Sequence, residues 1–307
     1  MMETENVFIY MDECVKEKRK AGKESTADLY RASANWLKNF RKNRKLQWED
    51  VTEKLVDKFK NFLEATNLKT NSRNSYLSSL RSMYNSAVKE KLVIPAPNPF
   101  THLKLKREQT LKRALPEEVI ERVAGMNLKE HPEYREAVDY FIFSYLACGM
   151  PFVDMARLTP QNIEGESIVY NRAKTGVKVC IGITPGMKVI LKRQHREGAL
   201  RLLPILPDKK EVKHETYKSR LRSIDRKLIK IGKILGLPIK LTMYVARHSW
   251  ASLAQEADVP IAVIKQALGH RSEDTTRFYL AGLSMEKLNR ENFKVVKKVD
   301  DIACRYI

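Results

Sequence analysis

Between residues 242 and 279 the chain reads TMYVARHSWASLAQEADVPIAVIKQALGHRSEDTTRFY, a stretch rich in side chains that can act on a phosphate. Arg247 offers a planar fork of donors, His248 and His270 offer imidazoles, and Tyr279 offers a hydroxyl. Such groups suit phosphoryl transfer without a metal. Cationic donors gather around the equatorial oxygens while an in-line hydroxyl attacks and stores the bond energy covalently. A metal-assisted reaction would want carboxylates or closely spaced histidines. The stretch has no HExxH, no three histidines at ligand spacing and no carboxylate set beside its histidines in a ligand motif, so neither metal nor cofactor is expected.

These side chains need elements to hold them. Thr242 is the expected N-cap of a helix on which Tyr244, Arg247 and His248 fall at i, i+3 and i+4 and crowd one face. Ala246, Trp250 and Leu253 form a separate apolar stripe. Pro260 starts a second helix, with Ile261, Val263, Ile264 and Leu268 periodic, and Gly269-His270 ends it. A third short run, from Glu273 to Leu280, carries Thr275, Thr276 and Tyr279. Residues 243–256 and 260–268 also have the length and turn of a helix-turn-helix, which leaves open a module that binds DNA without cutting it.

The whole chain has 307 residues, enough for two domains, and a formal net charge of +20. That balance favours a polyanionic partner, since neutralising phosphates releases condensed counterions. No apolar run approaches membrane-spanning length, and the N-terminus lacks the order of a signal peptide. The four cysteines are scattered without a CxxC pair, which argues against a disulfide scaffold or a cysteine zinc site. The cytoplasm is the expected location.

Apolar residues at three- and four-residue steps predict four helices in residues 1–95, from Phe8 to Lys20, Thr26 to Phe40, Val51 to Leu63 and Asn71 to Glu90. Their cations suit a clamp that positions a duplex by its phosphates, and a plain packing unit has the same pattern. Pro95, Pro97 and Pro99 then break the pattern, so residues 96–111 are expected to be a basic linker and 112–307 a second domain. There Pro116 opens a helix and Glu136 to Leu146 is strongly apolar. Ser167–Tyr170 and Val177–Ile181 read as strands of a hairpin whose turn contains Lys174. A lysine there is either solvated or within reach of a phosphodiester. Arg220, Arg222, Arg226 and Lys227 are likewise phosphate contacts or plain surface. The expected fold is mainly α with a small β-sheet.

The motifs VARHSW at 245–250, LGH at 268–270 and TTRFY at 275–279, in this order and spacing, resemble the tyrosine recombinase (phage integrase) family. The chain looks most like integrases of mobile elements in Bacteroides-type bacteria. The resemblance implies a helical core-binding domain (1–95) and a mixed α/β catalytic domain (112–307) that form a C-shaped clamp on double-stranded DNA. It also implies site-specific cutting and rejoining through a 3′-phosphotyrosyl link. Tyr279, nine residues after the LGH histidine, would be the nucleophile. Arg247 would be the second catalytic arginine, His270 a donor to the phosphate, Lys174 the general acid, and Asp154 a supporting acid. A homotetramer on synapsed DNA, a monomer when free, and an accessory DNA-bending protein are further implications. So is docking of the tail, Leu288 to Val299, on a neighbouring protomer.

Two positions depart from the family pattern. Tyr244 stands where a histidine is common; it can donate a hydrogen bond but is a poor base at neutral pH. His248 beside it is a supporting residue in the family more often than a catalytic one. Pro151 stands where the first catalytic arginine follows a Gly-hydrophobic pair, here Gly149-Met150, and it brings no donor. Arg157 and Arg172 are the nearby candidates to replace it. A DNA-binding protein with impaired or absent cleavage and a relaxing, topoisomerase-like enzyme are the competing readings.

Overall fold

Four helices form where the apolar spacing predicts them: α1 (Val7–Lys20), α2 (Glu24–Phe40), α3 (Glu53–Glu64) and α4 (Thr70–Lys89). Asn6 and Thr52 cap α1 and α3 through side-chain oxygens that accept from Phe8 and Leu55 amides. The computed structural model describes residues 6–94, 97–105, 108, 114–270 and 285–305. It divides into two compact units, Met1–Leu111 and Lys112–Ile307. In the first unit Leu37, Trp48, Phe59, Leu77 and Tyr84 fill the core between the helices. Phe100 and Leu103, from the stretch expected to be linker, are buried in that same core. His102 ties this stretch to α3, its ring nitrogens 3.1 Å from Glu53 and 2.9 Å from Asp57.

The second unit is built around α6 (Arg135–Leu146), in which every residue from Ala137 to Leu146 is buried. No amphipathic stripe was legible there because neighbours cover the helix all round. Around it stand α5 (Glu117–Ala124), α8 (Pro185–Gln194), α9 (His214–Ile234), α10 (Met243–Glu256) and α12 (Met285–Arg305). The short α7 (Phe152–Met155) and α11 (Ile261–Leu268) complete the helices described. An antiparallel sheet of order β1-β2-β3 joins Ile163–Glu164, Ser167–Asn171 and Lys178–Gly182. Its β2–β3 hairpin pairs Ser167 with Gly182 and Asn171 with Lys178. The fold is thus mainly helical with a small sheet, as expected, and no described helix is long and apolar enough to cross a membrane.

The tail differs from expectation. Instead of being reserved for a neighbour, α12 packs on α5, α6, α8 and β3 of its own unit, with Leu288, Val295, Val296 and Val299 buried. Polar groups fix its register. Asn292 accepts from the Trp250 indole at 3.0 Å and donates to the Leu146 carbonyl at 3.1 Å. Asn289 accepts from the Gly182 amide, and Asp300 accepts from the Thr184 hydroxyl and the Gly186 amide at the start of α8. Asn292→Leu keeps the volume but orphans two buried polar groups, so a loss of about 2–4 kcal/mol is expected in the second unit. Trp250 is the one tryptophan of that unit, and its fluorescence during denaturant unfolding measures the change.

Candidate active site

Helix α10 carries Tyr244, Arg247 and His248, and its first turn is held from outside. The Thr242 side chain makes no cap hydrogen bond, contrary to expectation; the Met243 amide donates instead to Asp225 of α9, at 2.8 Å. Burial raises the Asp225 carboxyl above its usual range, and the Met243 amide opposes that rise. Further along α10, the Ser249 hydroxyl accepts from the Leu115 amide and Trp250 is locked by Asn292.

Arg247 is only 8% exposed. Its guanidinium donates to the Gly149 carbonyl at 3.0 Å, to the Leu268 carbonyl at 2.7 Å and to His270 Nε2 at 3.0 Å. An arginine cannot accept, so Nε2 must, and the proton of neutral His270 lies on Nδ1 as a donor. Among the described residues no carboxylate forms an ion pair with Arg247. Burial, then the neighbouring Arg172, lowers its pKa to about 10, and the group stays charged at neutral pH. Burial and the cations Arg247, Arg172, Lys174 and Lys265 hold His270 below the ordinary imidazole range, although the residue itself is exposed.

The turn that meets Arg247 is unusual. Cys148 and Gly149 both have positive φ, +56° and +70°, and a Cβ on Gly149 would lie 2.7 Å from Arg247 Cα. Only glycine allows that approach. Pro151, next in line, is the N-cap residue of α7 and supplies no donor.

The β2–β3 turn comes to the same place. Arg172 is 6% exposed and paired with the buried Asp154, which also accepts from the Ala173 amide at 2.8 Å. Asp154 therefore serves a basic neighbour. The Arg172 stem packs against Gly269, the left-handed C-cap of α11, so closely that a Cβ there would collide with Arg172 Cγ. Sequence reasoning weighed Arg172 only as one of two nearby arginines; its place in the turn before Lys174 was the available signal. Arg157, the other, is exposed. Lys174 is exposed at the turn. Tyr244 is 56% exposed and meets His248 edge-on, ring centroids 4.4 Å apart. Arg247, His270, Arg172 and the Lys174 turn are brought together; Thr275, Thr276 and Tyr279 lie outside the described residues.

Both units superpose on integrases of known structure. A lambda integrase dimer bound to a COC′ core site matches with a TM-score of 0.63 at 17% identity, covering 88% of this chain and 75% of that one. The Tn1549 transposon integrase in complex with a circular intermediate DNA gives 0.58 at 16% identity, covering 92% and 97%. The chain has the fold of these integrases. Residues 6–105 match the phage integrase SAM-like domain. The tyrosine recombinase XerC of Rickettsia prowazekii (strain Madrid E) is 35% identical over 133 residues, 41% of this chain and 40% of that protein. The chain thus spans well under half the length of that curated relative. Domain match, local identity and fold together support the tyrosine recombinase/phage integrase family.

Gly149→Ala would force an L side chain into positive φ against Arg247. A loss of about 2–4 kcal/mol is expected, from backbone strain plus overpacking. The unfolding midpoint read from Trp250 measures it, and an unchanged midpoint would show that Arg247 does not depend on this close approach.

Proposed function

We propose that this chain is a site-specific DNA recombinase that cuts and rejoins duplex DNA through a 3′-phosphotyrosyl intermediate. Arg247 carries the reading. A buried guanidinium held by carbonyls and an imidazole, with no carboxylate among the described residues to neutralise it, is costly for a structural residue and suited to an anion. In the proposed step the Tyr279 oxygen attacks the scissile phosphorus and its proton passes to solvent. The Tyr–O–P bond forms as the P–O5′ bond breaks, and the Lys174 ammonium protonates the leaving 5′-oxygen. Rejoining is the reverse with a new 5′-hydroxyl. Arg247 and the Nδ1–H of His270 hold the nonbridging oxygens, while Tyr244 and His248 flank them.

The site is of an atypical kind, with Pro151 in the place of the first arginine and Arg172 taking its task. Support for Arg172 is its burial beside Arg247, and its Nε, buried with no acceptor among the described residues. The charge on α9 supports a duplex partner. Arg220 and Lys227 pair inward with Glu136, whereas Arg222, Arg226, Lys230 and Lys233 form an exposed stripe at helical spacing. On α4, Ser78, Arg81, Ser82, Asn85, Ser86 and Lys89 line a shallow, acid-free depression. The assembly we propose is a tetramer on synapsed DNA, monomeric when free, working in the cytoplasm with an accessory DNA-bending protein. A solved lambda integrase tetramer on a Holliday junction, with a TM-score of 0.62 and 18% identity over 91% of this chain, supports the same architecture. We also assign the chain to integrases of Bacteroides-type mobile elements, on the motif pattern of residues 245–279.

Incubation with a randomised pool of nicked duplexes tests the proposal. The wild type is expected to capture a subset as a detergent-stable covalent adduct, and Tyr279→Phe to capture none. Duplex binding without adduct by the wild type would favour a protein that binds but does not cut, the outcome that Pro151 alone would suggest. On the captured duplex, Arg172→Ala is expected to lower the adduct rate about 10²–10³-fold, as for loss of a transition-state donor, with Arg157→Ala near wild type.

The adduct rate should also depend on pH through His270. Its folded pKa is lowered, so the neutral form persists on acidification past the ordinary imidazole value and is lost only below it. The His270-dependent acid limb is therefore expected below the range of a free imidazole, and a limb at or above that range would contradict the assignment.

A further inference from the structure

Lys174 is asked to deliver a proton from an exposed turn, and a lysine on a flexible stem carries about 2 kcal/mol of rotamer entropy to be overcome by positioning. We propose that Thr175 is a positioning residue that latches the Lys174 turn onto the turn carrying His270; the inference rests on the recombinase reading above. The Thr175 hydroxyl donates to the Gly269 carbonyl at 3.0 Å, across a sequence separation of 94 residues. That carbonyl is past the end of α11, where Gly269 caps the helix in the left-handed conformation and the His270 amide turns back to the Lys265 carbonyl. It is one residue from the imidazole that meets Arg247.

The other side of the latch is equally defined. The Arg172 amide donates to the Val177 carbonyl at 2.9 Å, and the Gly176 and Thr175 amides donate to the Arg172 carbonyl at 2.7 and 3.2 Å. The turn is therefore a closed loop hung on Arg172, whose stem packs on Gly269. Two contacts, an apolar stem at 172 and a hydroxyl at 175, bracket Lys174 and fix its backbone against the His270 turn. Lys174 is among the cations that hold the His270 imidazole below its ordinary range. A β-branched side chain suits the task because its χ1 is stiff and its hydroxyl stays aimed. Gly269 also becomes intelligible: a side chain there would push away the strand stem that the latch pulls in.

Valine at 175 keeps the shape and removes the donor, and serine keeps the donor. The test compares wild type, Thr175→Val, Thr175→Ser and Lys174→Ala on a captured duplex and on the same duplex with sulfur in place of the bridging 5′-oxygen. A thiolate leaves without a proton, since thiols ionise near ~8.5. On the oxygen substrate Thr175→Val is expected to form adduct about 10-fold more slowly or worse, within the range that general acids contribute, and Thr175→Ser within about 3-fold of wild type. On the sulfur substrate Thr175→Val and Lys174→Ala should both return to the wild-type rate. A Thr175→Val rate equal to wild type on oxygen, or equally slow on both substrates, overturns the proposal. If the wild type captures no duplex, the recombinase reading fails by itself, and amide exchange decides the latch. Exchange at Gly176, whose amide donates to the Arg172 carbonyl, is expected about 10-fold faster in Thr175→Val than in wild type, as for a turn released to open locally, and unchanged exchange rules the latch out.

Discussion

A single buried cation sets the terms for the second unit. Arg247 is held by two distant chain segments that give it three acceptors: Gly149 after α6, and Leu268 and His270 at the end of α11. Because these acceptors are carbonyls and an imidazole, the charge is hydrogen-bonded but, among the described residues, not neutralised. Desolvation without neutralisation is expensive, and the surrounding structure must hold its geometry tightly to sustain it. The positive-φ pair at 148–149, the left-handed Gly269 and α6, buried from Ala137 to Leu146, all serve that geometry.

Arg247 apart, two kinds of cation stand out among the described residues of the second unit. Arg172, Arg193 and Arg220 pair with Asp154, Asp139 and Glu136 and help build the unit. The outward residues of α9 have exposure and helical spacing in common. Net charge alone could not separate these groups. A run such as Arg220–Lys227 mixes both, and only the position of Glu136 on α6 tells which side chain faces in.

Much of this was legible beforehand. Helix boundaries in the first unit follow from apolar periodicity within a few residues, and the hairpin follows from β-rich segments around a Thr-Gly turn. The convergence of Arg247 with His270 was legible as motif order. What escaped were relations between distant segments. Thr242 looked like a cap because caps are read locally, while the acceptor comes from Asp225. The proline-rich stretch looked like linker because prolines break helices, yet Phe100 and Leu103 anchor it. Helix α12 was expected to dock on a neighbour because the family resemblance implied it, whereas the polar groups that seat it at home are isolated asparagines and one aspartate. Pattern reading finds faces; it does not find their partners.

The borrowed cap on α10 also bears on portability. Residues 243–268 have the outline of a helix-turn-helix, a motif that is commonly self-contained enough to move between scaffolds. Here the outline is misleading. Its first amide leans on α9, its serine hydroxyl on the chain before α5, its tryptophan on α12, and its arginine on the turn after α6. Excised or grafted, the segment would keep its motifs and lose the geometry that gives them meaning, so it is a unit of sequence without being a unit of inheritance for structure.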